Sequence, residues 1–215
     1  MTFSPASITV DRYSPVPMYY QVAQQLEQAI EYLVDRGYLV RRRAVGTQVV
    51  HPKVRRPVEL TSLFDDLTAS RKDPRTKVLS LEAAPASDRV AHALGLEDGQ
   101  DVLAVERLRY ADGQPLAIMR NWLPLGLVDL HAERLERAGL YQLMRAAGIN
   151  LHLASQTIGA RGASIAEARL LQAHKGEPLL TMSRTTYNQN GQPVELGDHI
   201  YRASLYSFEI VLVSR

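Results

Sequence analysis

Arg107 and Arg109 stand two residues apart in Val102 to Tyr110, a run that reads as strand up to the Asp112-Gly113 hairpin signal. Residues i and i+2 of a strand share a face, so both guanidiniums can converge on one carboxylate or phosphate through paired, charge-assisted hydrogen bonds. Two arginines on a wet face are an equally open reading of the spacing. Glu195 and Tyr201 are six residues apart in a later strand-like run and also share a face. A carboxylate beside a phenol suits a polyol or an amine, while a tyrosine so placed is as readily a core aromatic with its hydroxyl at the edge.

A second chemistry lies nearer the N-terminus. Arg41, Arg42 and Arg43 lead into a turn at Ala44-Val45-Gly46, and Thr47 to Val50 return as a second strand. From Arg36 to Arg56 there are seven Lys or Arg and no Asp or Glu. Such a uniform positive field suits nucleic-acid phosphate, where each contact releases condensed counterions. A charge run alone is as often a solvated face. Directly after an amphipathic helix end, the basic hairpin instead has the layout of a DNA-binding wing, with Arg41, Arg42, Arg43, Gly46 and Thr47 as its candidate contacts.

The formal net charge of +2 hides this asymmetry, because residues 1–57 hold eight Lys or Arg against four Asp or Glu. A polyanion would be drawn to that part and not to the rest. Zero cysteines exclude disulfides, thiolate metal sites and cysteine nucleophiles, in keeping with a cytoplasmic location. No apolar run is long enough for a bilayer, and the opening residues lack the pattern of a secretory signal, so no membrane partner is expected. The six histidines are scattered without an i, i+4 pair, and phosphate-cradling glycine loops, nucleophile elbows and zinc-helix motifs are missing. No metal, cofactor or catalytic residue is therefore expected.

Behind these residues the chain organises into two parts. Met18, Tyr19, Val22, Leu26, Ala29, Ile30 and Leu33 follow helical spacing, which predicts one helix from about Met18 to about Arg36. His51 to Pro57 is basic and bracketed by prolines and reads as a linker. Beyond it, strands are predicted at 78–83, 102–110, 116–123, 151–160, 179–187, 194–201 and 205–213. Helices are predicted at 89–94, 140–147 and 164–173, the last opened by a Ser164/Glu167 capping box. Hairpins outnumber crossovers, so the expected class is α+β with a mainly antiparallel sheet.

Several segments together resemble a known family. Pro17 to Ala23 resembles the opening of the winged helix-turn-helix domain of GntR-family transcription regulators, and Tyr32 to Val50 resembles the end of their recognition helix followed by the wing. Val78 to Leu81, Glu106 to Tyr110, Trp122-Leu123-Pro124, Gly139-Leu140-Tyr141, Pro193-Val194-Glu195 and Tyr201-Arg202 resemble the UTRA effector-binding domain of the HutC subfamily, a chorismate-lyase-like fold. The resemblance implies a winged-helix domain at 1–50, a linker at 51–57 and an effector domain at 58–215. It implies a bacterial, ligand-responsive regulator, expected to be a repressor, that binds double-stranded DNA as a homodimer because paired half-sites need two reading heads.

The same resemblance exposes a gap. Family members carry a loop, a second helix and the front of the recognition helix between the segments like Gln24–Ile30 and Glu31–Gly37, and none of this stands at the Ile30-Glu31 junction. The base-reading part is missing while phosphate-binding chemistry remains. The abrupt junction points to a segment belonging to a longer form rather than to a working deletion.

For the effector, the resemblance places Arg107 and Arg109 on the ligand's anionic part and Glu195 and Tyr201 on its hydroxyl or amide groups. It puts Phe64 and Asp65 in a covering loop. Gly139 stands where sugar-phosphate sensors often carry serine, and Met119-Arg120 where glutamate is often found; an inward Arg120 would favour anions further. The expected effector is a small anionic metabolite such as a phosphosugar or carboxylate. Two alternatives remain: an effector-binding, dimerising protein deficient in DNA binding, and a chorismate-lyase-like enzyme.

Overall fold

The computed structural model describes residues 9–35, 39–42, 46–49, 54–57 and 60–209, and the chain divides into two compact units, Met1–Pro52 and Lys53–Arg215. In the first, α1 (Met18–Asp35) runs unbroken through Ile30-Glu31. Its amides start against Pro17, whose carbonyl accepts from Tyr20 and Gln21. Gln21 and Gln25 then clasp the preceding segment, with Gln21 Nε2 donating to the Asp11 and Val16 carbonyls at 2.9 and 2.7 Å and Gln25 Nε2 to that of Thr9 at 2.6 Å. The helix leaves Met18, Tyr19, Tyr20 and Leu26 exposed, an apolar surface with no second helix among the described residues of this unit to cover it.

β1 (Leu39–Arg42) and β2 (Gly46–Val49) pair as the expected antiparallel hairpin, with Arg41 opposite Thr47 and Arg42 opposite Gly46. Arg41 and Thr47 are exposed, and Arg41 approaches Glu27 of α1 at 3.9 Å. Arg43 and the turn at 44–45 lie outside the described residues.

The second unit is built on a six-stranded, fully antiparallel sheet in the order β4-β5-β6-β9-β8-β7. These strands are β4 (Pro74–Pro85), β5 (Asp101–Ala111), β6 (Gln114–Pro124), β7 (Leu151–Gly162), β8 (Pro178–Asn188) and β9 (Pro193–Arg202). Asp112 and Gly113, at φ 51° and 78°, make the β5–β6 turn, which needs positive φ at both central positions. All the strands predicted within this sheet are present, extended by up to four residues at their ends.

Helices cover both faces. On one, α2 (Leu63–Ala69), α4 (Ala132–Arg137) and α5 (Leu140–Ala146) bury Leu63, Leu67, Leu135, Leu140 and Met144 against Met119, Met182, Val105 and Leu123. On the other, α3 (Asp88–Leu94) and α6 (Ile165–Leu171) bury Val90, Leu94, Ala168 and Leu171 against Val102, Leu196, Leu108 and Ile118. The Ser164/Glu167 capping box forms as expected.

Two segments depart from the sequence reading. Phe64 and Asp65 sit in helix α2 rather than a loop, because Ser62 and Asp65 close a capping box and Leu63 and Leu67, four apart, drive one face into the core. Part of the expected linker, β3 (Val54–Pro57), is a strand paired in parallel with β10 (Tyr206–Glu209). A four-residue strand with one β-branched residue carries no period of its own, so only its partner, more than a hundred residues away, defines it.

Candidate functional site

Strand register brings the polar residues together. Arg107 lies opposite Met119, Met119 opposite His199, and His199 opposite Met182; one step along, Asn121 faces Gly197, Gly197 faces Arg184, and Arg184 faces Gln156. Opposed residues share a sheet face, so one face collects side chains from β5, β6, β9, β8 and β7 beneath α2 and α5. There they enclose a cavity of about 20 Å³, walled by Arg107, Arg109, Asn121, Tyr141, Arg184 and His199, with Thr61, Ser62 and Leu63 at the start of α2 closing it. That space holds about one water.

The wall is a hydrogen-bonded chain. Arg107 Nη2 donates to Asn121 Oδ1 at 2.6 Å, and Asn121 Nδ2 donates to Glu195 Oε1 and lies 3.1 Å from His199 Nε2. Glu195 Oε2 accepts from Thr186 at 2.7 Å and from Tyr141 at 3.1 Å. Gly197 leaves the room they fill, since a Cβ there would sit 2.6 Å from Glu195 Oε1. Burial pushes the Glu195 carboxyl above its ordinary range against the opposing pull of these donors and of Arg184, and it raises the Tyr141 phenol as well.

The arginines are the least satisfied members. Arg107 and Arg109 are each 1% exposed, their Nε groups have no hydrogen-bond partner, and neither lies within ion-pair distance of a carboxylate among the described residues. Arg109 donates to Thr76 and sits over the Phe64 ring, 5.1 Å from its centroid. Burial lowers the Arg107 pKa to about 10, and burial together with the neighbouring Arg107 charge lowers that of Arg109 to about 9. Both remain cations at neutral pH. Donors so buried and so weakly used fit an anionic partner of several oxygens.

Of the residues proposed from sequence, Arg107, Arg109 and Glu195 meet in this cluster. Tyr201 lies beside it, its hydroxyl 3.2 Å from His199 Nδ1 and its ring stacked on Tyr206 at 4.2 Å. Asp65 accepts from the Ser62 amide at 3.4 Å and lies 3.8 Å from Arg145. Arg120 does not join them. Alternation along β6 sends it to the opposite face, where it pairs with Glu106 at 2.7 Å, so its expected role in favouring anions is withdrawn. Asn121, Tyr141, Arg184 and His199 were not singled out from sequence; the one usable signal was Arg184-Thr185-Thr186, which puts two polar side chains on the face that also carries Leu180 and Met182.

Gly139 also finds its reason here. It is the N-cap of α5, and a Cβ on it would lie 2.9 Å from Ser62 Oγ and 3.2 Å from Phe64 Cβ, so α5 and α2 approach too closely for the serine that the resemblance suggests.

Comparison with known proteins gives consistent matches. The UTRA domain family matches residues 69–207. The chain is 26% identical to the HTH-type transcriptional repressor NagR of Bacillus subtilis over 94% of this chain and 97% of NagR. It is 30% identical to an HTH-type transcriptional regulator of Mycobacterium tuberculosis over 86% of this chain and 70% of the relative. Among solved structures, PhnF from Mycobacterium smegmatis superposes with a TM-score of 0.80 at 26% identity, covering 94% of this chain and 92% of PhnF. A transcriptional regulator from Streptomyces coelicolor is 52% identical with a TM-score of 0.63, covering 67% of this chain and 97% of its own. The NagR alignment runs over 235 positions against a chain of 215, so NagR has residues opposite which this chain has none.

Proposed function

Because the chain belongs to the GntR-family transcription regulators that carry a UTRA domain, a chorismate-lyase-like fold used here for regulation and not for catalysis, we propose that residues 58–215 sense a small anionic metabolite. A phosphosugar or a carboxylate fits this description. The observation that carries the reading is the pair of fully buried guanidiniums, Arg107 and Arg109, whose Nε donors have no hydrogen-bond partner and which have no carboxylate within ion-pair distance among the described residues. Glu195, Asn121 and His199 would read hydroxyl or amide groups beside the anion. In a calorimetric screen of phosphorylated sugars and small carboxylates, the parent should bind at least one compound and the Arg107→Ala, Arg109→Ala double variant should lose it. Equal binding by both proteins would sink the proposal.

A cavity of one water's volume must open to admit such a ligand, and its closing wall, Thr61 to Leu63, follows β3 by only a few residues. Displacing the start of α2 would therefore pull on the segment that leaves residues 1–50. Effector binding thereby shifts the spacing of two DNA-contacting parts in a cytoplasmic homodimer, provided the ligand binds the two arrangements with different affinity. Relatives described as repressors favour repression. In this reading residues 51–57 join the two parts, and Arg41, Arg42, Arg43, Gly46 and Thr47 meet DNA phosphate.

A second reading is favoured by the unbroken α1 and by the positions of NagR that this chain lacks. On it, the 215-residue form senses effector and dimerises without reading a DNA sequence. The intact mass of the purified protein separates a chain of this length from a longer parent.

A further inference from the structure

The site holds a third buried guanidinium. Arg184 is 4% exposed and lines the cavity from β8, whereas Arg107 and Arg109 enter from β5. Three strand steps separate β5 from β8, about 14 Å of backbone. Arg184 is held toward the far side, its Nε and Nη2 donating to Gln156 Oε1 at 2.8 and 2.5 Å and its Nη1 to the Thr61 carbonyl at 3.3 Å. Every one of these acceptors is neutral, and no carboxylate lies within ion-pair distance of Arg184 among the described residues. Between the two cationic poles stand Asn121, His199 and Tyr141, groups that read hydroxyls.

Three buried guanidiniums in one cavity face the buried Glu195 carboxyl and the half-buried Asp65 near Arg109, so cationic groups outnumber acidic ones there. A lone phosphate at Arg107 and Arg109 would answer one pole only. We propose that the effector carries an acid at each end of a short hydroxylated chain, with the larger anion at Arg107/Arg109 and a carboxylate at Arg184. The assignment of ends follows from the donors: Arg107 and Arg109 use few of theirs, whereas Arg184 has committed Nε and Nη2 to Gln156 and keeps fewer for a ligand. This inference rests on the anionic-effector reading and goes beyond it by naming a doubly acidic class and the residue that selects it.

The test uses three matched probes on the full chain: 6-phosphogluconate with both acids, glucose 6-phosphate with the phosphate alone, and gluconate with the carboxylate alone. Calorimetry on the parent should rank 6-phosphogluconate at least tenfold tighter than either of the others. Arg184→Gln should bring 6-phosphogluconate down to the level of glucose 6-phosphate and leave glucose 6-phosphate unchanged, while Arg184→Lys retains part of the preference. Thermal melts of both variants without ligand show whether they fold. A parent that binds glucose 6-phosphate as tightly as 6-phosphogluconate overturns the doubly acidic class and leaves the anionic reading standing. Loss of both probes in equal measure on Arg184→Lys overturns the selective role of Arg184. Failure of the parent to bind any of the three overturns the doubly acidic class, while the anionic reading stands or falls on the wider screen and the Arg107→Ala, Arg109→Ala variant.

Discussion

A buried guanidinium without a counter-ion is unfavourable in the empty protein, because desolvation is not repaid by Coulomb attraction. Arg109 is the clearer case, lying beside a second cation, and Arg109→Met should stabilise the ligand-free protein by about 1–3 kcal/mol in urea denaturation while weakening anion binding. Glu195 gives a pH signature. Its folded-state pKa is raised above the unfolded one, so between the two values the folded state holds the extra proton and stability falls as pH rises through that window. Urea melts at pH 5 and pH 8 should show this component in the parent, and Glu195→Gln should remove it. Spacing made the pairs Arg107/Arg109 and Glu195/Tyr201 legible, since i, i+2 and i, i+6 fix a shared face. Asn121 and His199 escaped because β6 and β9 are buried on both sides, so a lone polar residue there does not announce its face; Arg184 lies on the alternating strand β8, where polar side chains on both faces hid which one turns inward.

Among the elements, the strands were the most readable, since turns such as Asp112-Gly113 mark their ends, and α6 was readable from its capping box. Helices α2 and α4 were not. At seven and six residues they are too short to display a period, and α2 owes its existence to one cap and two leucines. Its position depends on Gly139. Gly139→Ala would push a methyl against Ser62 Oγ and Phe64 Cβ, disturbing the cap of α2, and is expected to lower stability by about 1–2 kcal/mol in thermal melts. Full parental stability in that variant would mean that α2 yields without cost. The outward turn of Arg120 belongs to the same scale: Arg107 lies opposite Met119 on the cavity face, whereas Arg120 lies opposite Glu106 on the other, so register alone separates the roles of the two guanidiniums.

At the level of the whole molecule, the hairpin of Arg41 and Arg42 and the absence of a base-reading helix among the described residues predict a particular DNA behaviour. In mobility-shift assays the 215-residue chain should bind any duplex weakly, with affinity falling steeply between 50 and 200 mM salt, roughly one counterion per phosphate contact. Sequence-selective binding would contradict this. Charge asymmetry set residues 1–57 apart in the sequence, but strand β3 within them gave no sign of itself, because its partner β10 is remote in sequence. That remoteness has a kinetic side. Pairing β3 with β10 closes a loop of about 150 residues, and such closure loses chain entropy that four-residue strands recover only when the intervening sheet already holds their ends close. The strand pair is therefore expected to form after the six-stranded sheet and to exchange its amides before that sheet does, an order that hydrogen exchange would read.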